Sequence, residues 1–408
     1  MKVLLLFPIL LFMQLTTFAQ TAENVFFLGN SLTYYNDMPH VFGQISNDKG
    51  RNVNVKMYAP GGTGFVNHVN DNALYDSIRN NQFDIVIMQP GTSESGGASY
   101  TVNVTAQRGL VIMDSIKKYS PCAKFFLYEI SNGVISANDY PTYFTTQTRI
   151  KDSLSLLSEL MQVPLIPAGE CFRNHYEATP DLLLHNSYGD VHPNLNGSYL
   201  VACSAFAAIY RDSVEGTTVN AGIAQQTAEY LQGIADDIVL SSLSLWNLDE
   251  YNPFAEFDLA QNGDEITLTN LSQNYDSVTW DFGDGMTSNL ENPVHSFSAN
   301  GVYQVTLTIF ADDCEYTVSQ EVTVSGLGIV DNEISKLIYP NPTYGILKVV
   351  NDGTMDQIHI LNANGMIVRV FEPLPGINQF DVSELAAGYY WIELHNSLEK
   401  RTIQFVKQ

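Results

Sequence analysis

Basic residues are scarce in this chain: 19 lysines and arginines stand against 44 aspartates and glutamates over 408 residues, a formal net charge of −25. Nucleic acid needs a basic footprint that displaces counterions from phosphate, and an anionic membrane surface needs the same sign, so neither partner is expected. Cysteine is scarce too. Cys122, Cys171, Cys203 and Cys314 are too few and too scattered for a disulfide framework or a zinc site. An exported location would permit a disulfide among the first three, while Cys314, in a separate apparent domain, reads as a free or core thiol. No clustered spacing of His, Cys and carboxylates suggests a metal, and no cofactor is expected. Long apolar runs are also missing. Val3–Met13 is well short of the ~20 residues that a membrane span needs. With Lys2 before it and Thr17-Phe18-Ala19 after it, residues 1–20 read as a signal peptide, and the mature chain is expected to begin near Gln20 or Thr21, outside the cytoplasm.

What remains is the composition of a folded protein, 45% hydrophobic and 11% aromatic, and its length calls for two or three domains. From residue 22 to about 245, apolar strands alternate with helical segments, which predicts an α/β layer fold. The stretch Val25-Phe26-Phe27-Leu28-Gly29-Asn30-Ser31-Leu32-Thr33 makes a short buried strand that turns sharply at Gly-Asn-Ser. Ser31 thus falls at the carboxyl end of a strand, where open α/β sheets bind ligands. A second strand, Val53–Tyr58, runs into Ala59-Pro60-Gly61-Gly62-Thr63-Gly64, which is either a plain turn or a place where bare N–H groups approach a ligand. Asp84–Gln89 is the strongest buried strand and ends in Gln89-Pro90-Gly91-Thr92-Ser93-Glu94. Helices are expected from Pro39 to near Gly50, capped by Asn36 or Asp37, then around Ala106–Tyr119, Tyr143–Met161 and Leu195–Arg211; further strands are expected at Lys124–Glu129 and Pro164–Pro167.

A serine hydroxyl is a weak nucleophile without an adjacent base. The candidate base lies in Gly189-Asp190-Val191-His192-Pro193-Asn194. The residue before proline is pushed out of helical dihedrals, so His192 is extended, and Asp190 two residues earlier can turn into the same cleft. A carboxylate on one imidazole nitrogen would fix the tautomer and free the other to take a serine proton. Taken by itself, the motif is equally a surface Asp and His at a helix start. His68 is expected to pack beneath the site, and His40, His175 and His185 to be ordinary surface or core residues.

Four pieces together resemble the SGNH (GDSL-like) hydrolases: Phe27–Thr33, Gly61-Gly62-Thr63-Gly64-Phe65, Asp84–Gly91, and Gly189–Asn194 leading into Gly197-Ser198-Tyr199-Leu200. The resemblance covers about residues 22–245 in the family's order. It implies a three-layer α/β/α flavodoxin-like sandwich and ester hydrolysis or acyl transfer through an acyl-serine. It also implies Ser31 as nucleophile and His192 as general base. The oxyanion hole would use the N–H groups of Ser31 and Gly62, with Gly61 the neighbouring candidate, and a side chain of the third block, Gln89 first and Ser93 second. Two departures stand out. The family's usual acid position, three residues before the histidine, holds Gly189, so the ring is oriented either by Asp190 or by a backbone carbonyl. The usual Asn after Gly91-Thr92 is Ser93.

After a linker at residues 246–255 the pattern turns to short strands: Glu265–Leu271, Ser277–Phe282, Tyr303–Phe310 and Tyr316–Val324. Residues 256–325 resemble a PKD domain through Val278-Thr279-Trp280-Asp281-Phe282-Gly283-Asp284-Gly285, Asn292–Phe297 and Gly301-Val302-Tyr303. Trp280 reads as core and Asp284-Gly285 as a tight turn. A second linker, 326–334, precedes residues 335–408, which resemble the type A C-terminal sorting domain of the type IX secretion system of Bacteroidota. The carriers are Pro340-Asn341-Pro342, the turn Asn362–Gly365, Gly388-Tyr389-Tyr390 and the Lys407 end. Two small all-β immunoglobulin-like sandwich domains are therefore expected, and the secretion machinery as a partner. The combined reading is a secreted serine esterase acting on acetyl esters of polysaccharides or other ester substrates; the second reading is a catalytically weak glycan-binding or adhesive surface protein.

Overall fold

The computed structural model describes residues 22–325, 337–351, 353, 355–396 and 400–408. The signal peptide (1–20) and the second linker (326–334) lie outside the described residues. These form two compact units, one reaching to Asp258 and including Leu268–Pro293 and Val305–Gln320, the other comprising Leu259–Thr267, Val294–Gln304 and the residues from Glu321 onward.

The first unit is built on five parallel strands: β1 (Glu23–Leu28), β2 (Val53–Tyr58), β3 (Ile85–Met88), β4 (Lys124–Tyr128) and β5 (Leu165–Ile166), in the order β2-β1-β3-β4-β5. Phe26, Phe27, Leu28 and all four residues of β3 are buried, as strands covered by helices on both faces must be. Val25 pairs with Ile85 and Leu28 with Met88, so the carboxyl ends of β1 and β3 finish level. The strand order reverses between these two strands, and that reversal opens a crevice at their carboxyl ends.

The helices are α1 (Ser31–Tyr34), α2 (Met38–Asp48), α3 (Phe65–His68), α4 (Asn72–Arg79), α5 (Thr92–Ser95), α6 (Val102–Lys117), α7 (Tyr140–Met161), α8 (Ala168–Ala178), α9 (Leu195–Tyr210) and α10 (Gln225–Leu240). Asn194 caps α9 by accepting from Gly197 N, and from Gly197 to Tyr210 every residue of that helix is buried. Helices α8 and α10 were not expected. Ala228, Leu231, Ala235 and Val239 in α10 do keep helical spacing, but polar residues break the run between them. Trp246 and Leu248 join the same core, so the α/β domain extends past residue 245 into the stretch expected to be a linker.

One expectation fails outright. The disulfide joins Cys122 to Cys314, while Cys171 and Cys203 are buried free thiols. The sequence places Cys314 in a separate apparent domain, where it reads as a free or core thiol, and by itself leaves the pairing open. Residues 305–320 instead pack in the same compact unit as Cys122, and Tyr316 donates from its hydroxyl to Cys122 O at 3.3 Å.

Strands β6 (Phe257–Asn262), β7 (Glu265–Asn270), β8 (Ser277–Asp281), β9 (Thr287–Ser288), β10 (Val294–Ser296), β11 (Gly301–Ala311) and β12 (Cys314–Val324) form two sheets, ordered β10-β7-β6 and β12-β11-β8-β9. Trp280 is completely buried, edge-on to Phe257. Strands β13 (Ile338–Tyr339), β14 (Ile346–Asn351), β15 (Gln357–Leu361), β16 (Ile367–Phe371), β17 (Gly376–Asp381), β18 (Gly388–His395) and β19 (Lys400–Lys407) form two more, β13-β14-β17 and β16-β15-β18-β19. Their alternating residues Leu347, Val349, Ile358, Ile360, Ile392 and Phe405 make a separate core. The turn Asn362–Gly365 is present, with Gly365 at φ +75°. Among the described residues, no helix is long and apolar enough to cross a membrane.

A buried carboxyl near the carboxyl end of β4 yields a pH prediction. Glu129 is fully buried; its Oε1 accepts from Gln147 Nε2 at 2.9 Å and its Oε2 from Glu170 N at 3.2 Å. Burial first, and the Glu170 charge second, push its carboxyl up to about 8, against the pull of Gln147, the Glu170 N–H and Lys151. The folded state therefore holds a proton that the unfolded chain releases near its ordinary value. Stability from this group is fully present below that value and is lost as pH rises through about 8. Glu129→Gln is expected to flatten the decline of Tm between roughly pH 5 and 8, a difference of at most about 5 kcal/mol. Parallel Tm–pH curves for the two proteins would refute the assignment.

Candidate active site

Ser31 sits at the first residue of α1, directly after the turn that ends β1. The turn is compact because Gly29 has no side chain: a Cβ there would fall 2.1 Å from Thr33 Oγ1 and 2.7 Å from Gln89 Oε1. Asn30 Oδ1 accepts from Leu32 N at 3.0 Å, which starts the helix, and its Nδ2 donates to Thr63 O at 2.7 Å. The Gly29–Ser31 turn is thereby pinned to the glycine loop.

His192 Nε2 lies 2.9 Å from Ser31 Oγ, although 161 residues separate them. The other ring nitrogen, Nδ1, lies 2.7 Å from Asp190 Oδ1, which also accepts from His192 N at 2.9 Å. Asp190, not a backbone carbonyl, is thus the partner of the ring. The closer spacing works because the carboxylate folds back on its own turn, with Gly189 at φ +81° ahead of it. The His192 N–H is the main cause, and the ring bond a further one, that holds the Asp190 carboxyl below the usual carboxylate range. An ionised Asp190 requires the proton on Nδ1, so Nε2 accepts from the Ser31 hydroxyl. His192 and Asp190 side chains are 27% and 30% exposed, so the relay opens to solvent.

Gly61 and Gly62 are exposed, with Gly62 at φ +73°. Gln89 is another correction. It is completely buried, with Oε1 accepting from Asn30 N and Thr33 Oγ1, each at 3.0 Å, and its amide donating to Pro90 O. At the end of a buried strand, it braces the turn that carries Ser31, and its amide is not exposed. Ser93, the alternative donor, is exposed on α5. His68 is buried beneath the turn, with Nε2 3.0 Å from Gly29 O, and burial lowers its tendency to charge. His175 and His185 are core residues bound to Asp181 and Tyr176, and His40 is exposed.

Two contributors lie outside the residues that the sequence points to. Glu94 Oε2 accepts from Phe65 N (2.8 Å) and Gly91 N (3.0 Å), and Oε1 from Val66 N (3.0 Å) and Arg108 Nη1 (3.2 Å). This one buried carboxylate ties the glycine loop to the third block. Gly64 allows the approach, since a Cβ there would lie 2.8 Å from Gly91 N. Glu94→Ala would orphan the buried N–H groups of Phe65 and Gly91 and the part-buried one of Val66, would strip Arg108 of its carboxylate partner, and is expected to cost about 3–5 kcal/mol of stability in urea unfolding. An unchanged unfolding midpoint would contradict this role. Gly133 is the other: a Cβ there would sit 2.5 Å from Asp190 O, so only glycine lets the 130–134 loop pack against the Asp190 backbone. Neither residue has a sequence signal beyond residue type. Among the described residues, no group of His, Cys and carboxylates could hold a metal ion.

No curated protein matches the chain significantly. Solved structures similar to it include a DUF4886 family protein from Bacteroides uniformis, with 16% identity over 54% of this chain and 95% of that one, TM-score 0.46. An acetylxylan esterase from Geobacillus stearothermophilus shows 13% identity over 45% and 92%, TM-score 0.35. The PKD1 domain of the Vibrio cholerae metalloprotease PrtV shows 35% identity over 18% and 98%, TM-score 0.18. Residues 253–325 match the PKD domain family and residues 337–408 match the secretion system C-terminal sorting domain, which marks the chain as exported, to the medium or the cell surface.

Proposed function

We propose that the α/β domain is a serine esterase that hydrolyses carboxylic esters through an acyl-serine. The observation that carries the reading is the continuous relay from Ser31 Oγ through His192 to Asp190, with links of 2.9 and 2.7 Å. Ser31 Oγ attacks the ester carbonyl carbon as its proton passes to His192 Nε2. The imidazolium is stabilised by Asp190 and returns the proton to the departing alcohol. Water then attacks the acyl-serine, giving its proton to His192, and the carboxylic acid leaves as Ser31 is reprotonated. The negative oxygen of each tetrahedral intermediate is assigned to the N–H groups of Ser31 and Gly62; a donor of this kind is typically worth ~10²–10³ in rate. Gln89 takes no part in that assignment.

The finer reading is acetyl esters on polysaccharides. It is supported by the solvent-exposed relay, which admits a bulky alcohol side, and by export, which places the chain where polymeric esters occur. The test is p-nitrophenyl acetate hydrolysis by the mature chain, with fluorophosphonate labelling of Ser31 beside it. Turnover with labelling supports the esterase. Neither turnover nor label would leave a glycan-binding protein as the better account.

A further inference from the structure

The segment just after the nucleophile holds an arrangement that the esterase reading leaves unused. The Tyr35 ring lies nearly parallel to the His192 imidazole, centroids 4.2 Å apart and planes 19° from each other. Asn36 and Asp37, which follow, both adopt φ +53°, a left-handed pair that Asn and Asp tolerate better than other side chains. Neither caps α2 through its side chain, as the sequence had suggested. Asn36 Nδ2 instead donates to Pro193 O at 3.0 Å and to Ser198 Oγ at 2.9 Å, and Ser198 Oγ donates to Tyr35 O at 3.2 Å. The nucleophile's own segment is therefore fastened to the residue after His192 and to α9, with the aromatic ring held over the base between them.

The Asp190 bond fixes one point of the imidazole and leaves its plane to be set by packing, because rotation about a terminal sp³–sp² bond is broad. An aromatic face fixes the plane, and its negative quadrupole attracts a cation. We propose that Tyr35 is a positioning residue for His192, holding the ring plane toward Ser31 and stabilising the imidazolium that forms as Ser31 attacks; this rests on the esterase reading above. The ionisable side chains bearing on the ring are Asp190 in contact with it, Tyr35 on its face, Tyr34 stacked on Tyr35, and His185, which feels the Asp190 charge.

The experiment follows p-nitrophenyl acetate hydrolysis from roughly pH 5 to 9 for wild type, Tyr35→Phe and Tyr35→Leu, with Ser31→Ala as the blank. Tyr35→Leu is expected to lower kcat about tenfold with little change in KM, and to move the acid limb of kcat/KM to lower pH, because the free base loses a face that favours its charged form. Tyr35→Phe, which keeps the face, is expected to restore both. Should the leucine variant fail to fold by circular dichroism, Tyr35→Met supplies similar bulk without a ring. A leucine or methionine variant with unchanged kcat and pH limb overturns the proposal, and so does a phenylalanine variant that falls as far. A wild type with no turnover above the Ser31→Ala blank would sink the esterase reading itself, a distinct result.

Discussion

Ser31→Ala and His192→Ala are each expected to lower kcat for p-nitrophenyl acetate by about 10⁴- to 10⁶-fold, with the double variant scarcely worse than either single one. The reason is that the pair acts as a unit. Without the hydroxyl there is no acyl-enzyme, and without the imidazole the hydroxyl at 2.9 Å has no acceptor for its proton. Both residues are partly exposed, so truncation should leave the fold standing, and unfolding curves should overlay those of wild type. A loss of less than tenfold at either position would place the chemistry elsewhere. Additive losses in the double variant would mean that the two residues act independently, against the relay.

The acid gives the second large effect, and its unusual spacing makes the outcome specific. Asp190→Ala is expected to lower kcat by about 10⁴-fold, the scale seen when the acid of such a relay is removed. Asp190→Asn should be milder here. One oxygen, Oδ1, accepts from both His192 N and His192 Nδ1, so an amide oxygen can occupy that place and preserve the tautomer. Only the negative charge facing the imidazolium is lost. An asparagine variant about ten- to a hundredfold more active than the alanine variant is the expected result, measured as kcat at neutral pH. Equal losses would mean that the charge, rather than the geometry, is what Asp190 supplies. The same variant bears on stability: the carboxyl is held below its ordinary range, so the stability it supplies is present above that range and is lost as pH falls through the depressed value.

Much of the site was legible because its parts are local. A buried strand ending in Gly-Asn-Ser must present Ser31 at the sheet edge, and a pre-proline His192 must be extended, whatever the rest of the chain does. Gln89 misled for the opposite reason: an amide at a strand end is the right residue type for a donor, and only burial reveals that its oxygen and amide are already engaged beneath the turn. Glu94 was invisible because its four partners come from three segments, none of which carries a mark of it in the sequence. Helix α10 was missed where polar residues diluted an apolar period that is nonetheless present.

From residue order alone follow the α/β rhythm with two β domains behind it, the strand-end serine and the extended histidine, since each depends on periodicity, turn chemistry or dihedral restriction within a few neighbouring residues. Tertiary structure alone decided the meeting of Ser31 with His192, the burial of Gln89, the Glu94 clamp, the Tyr35 stack and the pairing of Cys122 with Cys314. These are contacts between groups up to 192 residues apart, and which distant groups meet is settled by the packing of the whole core rather than by any local preference.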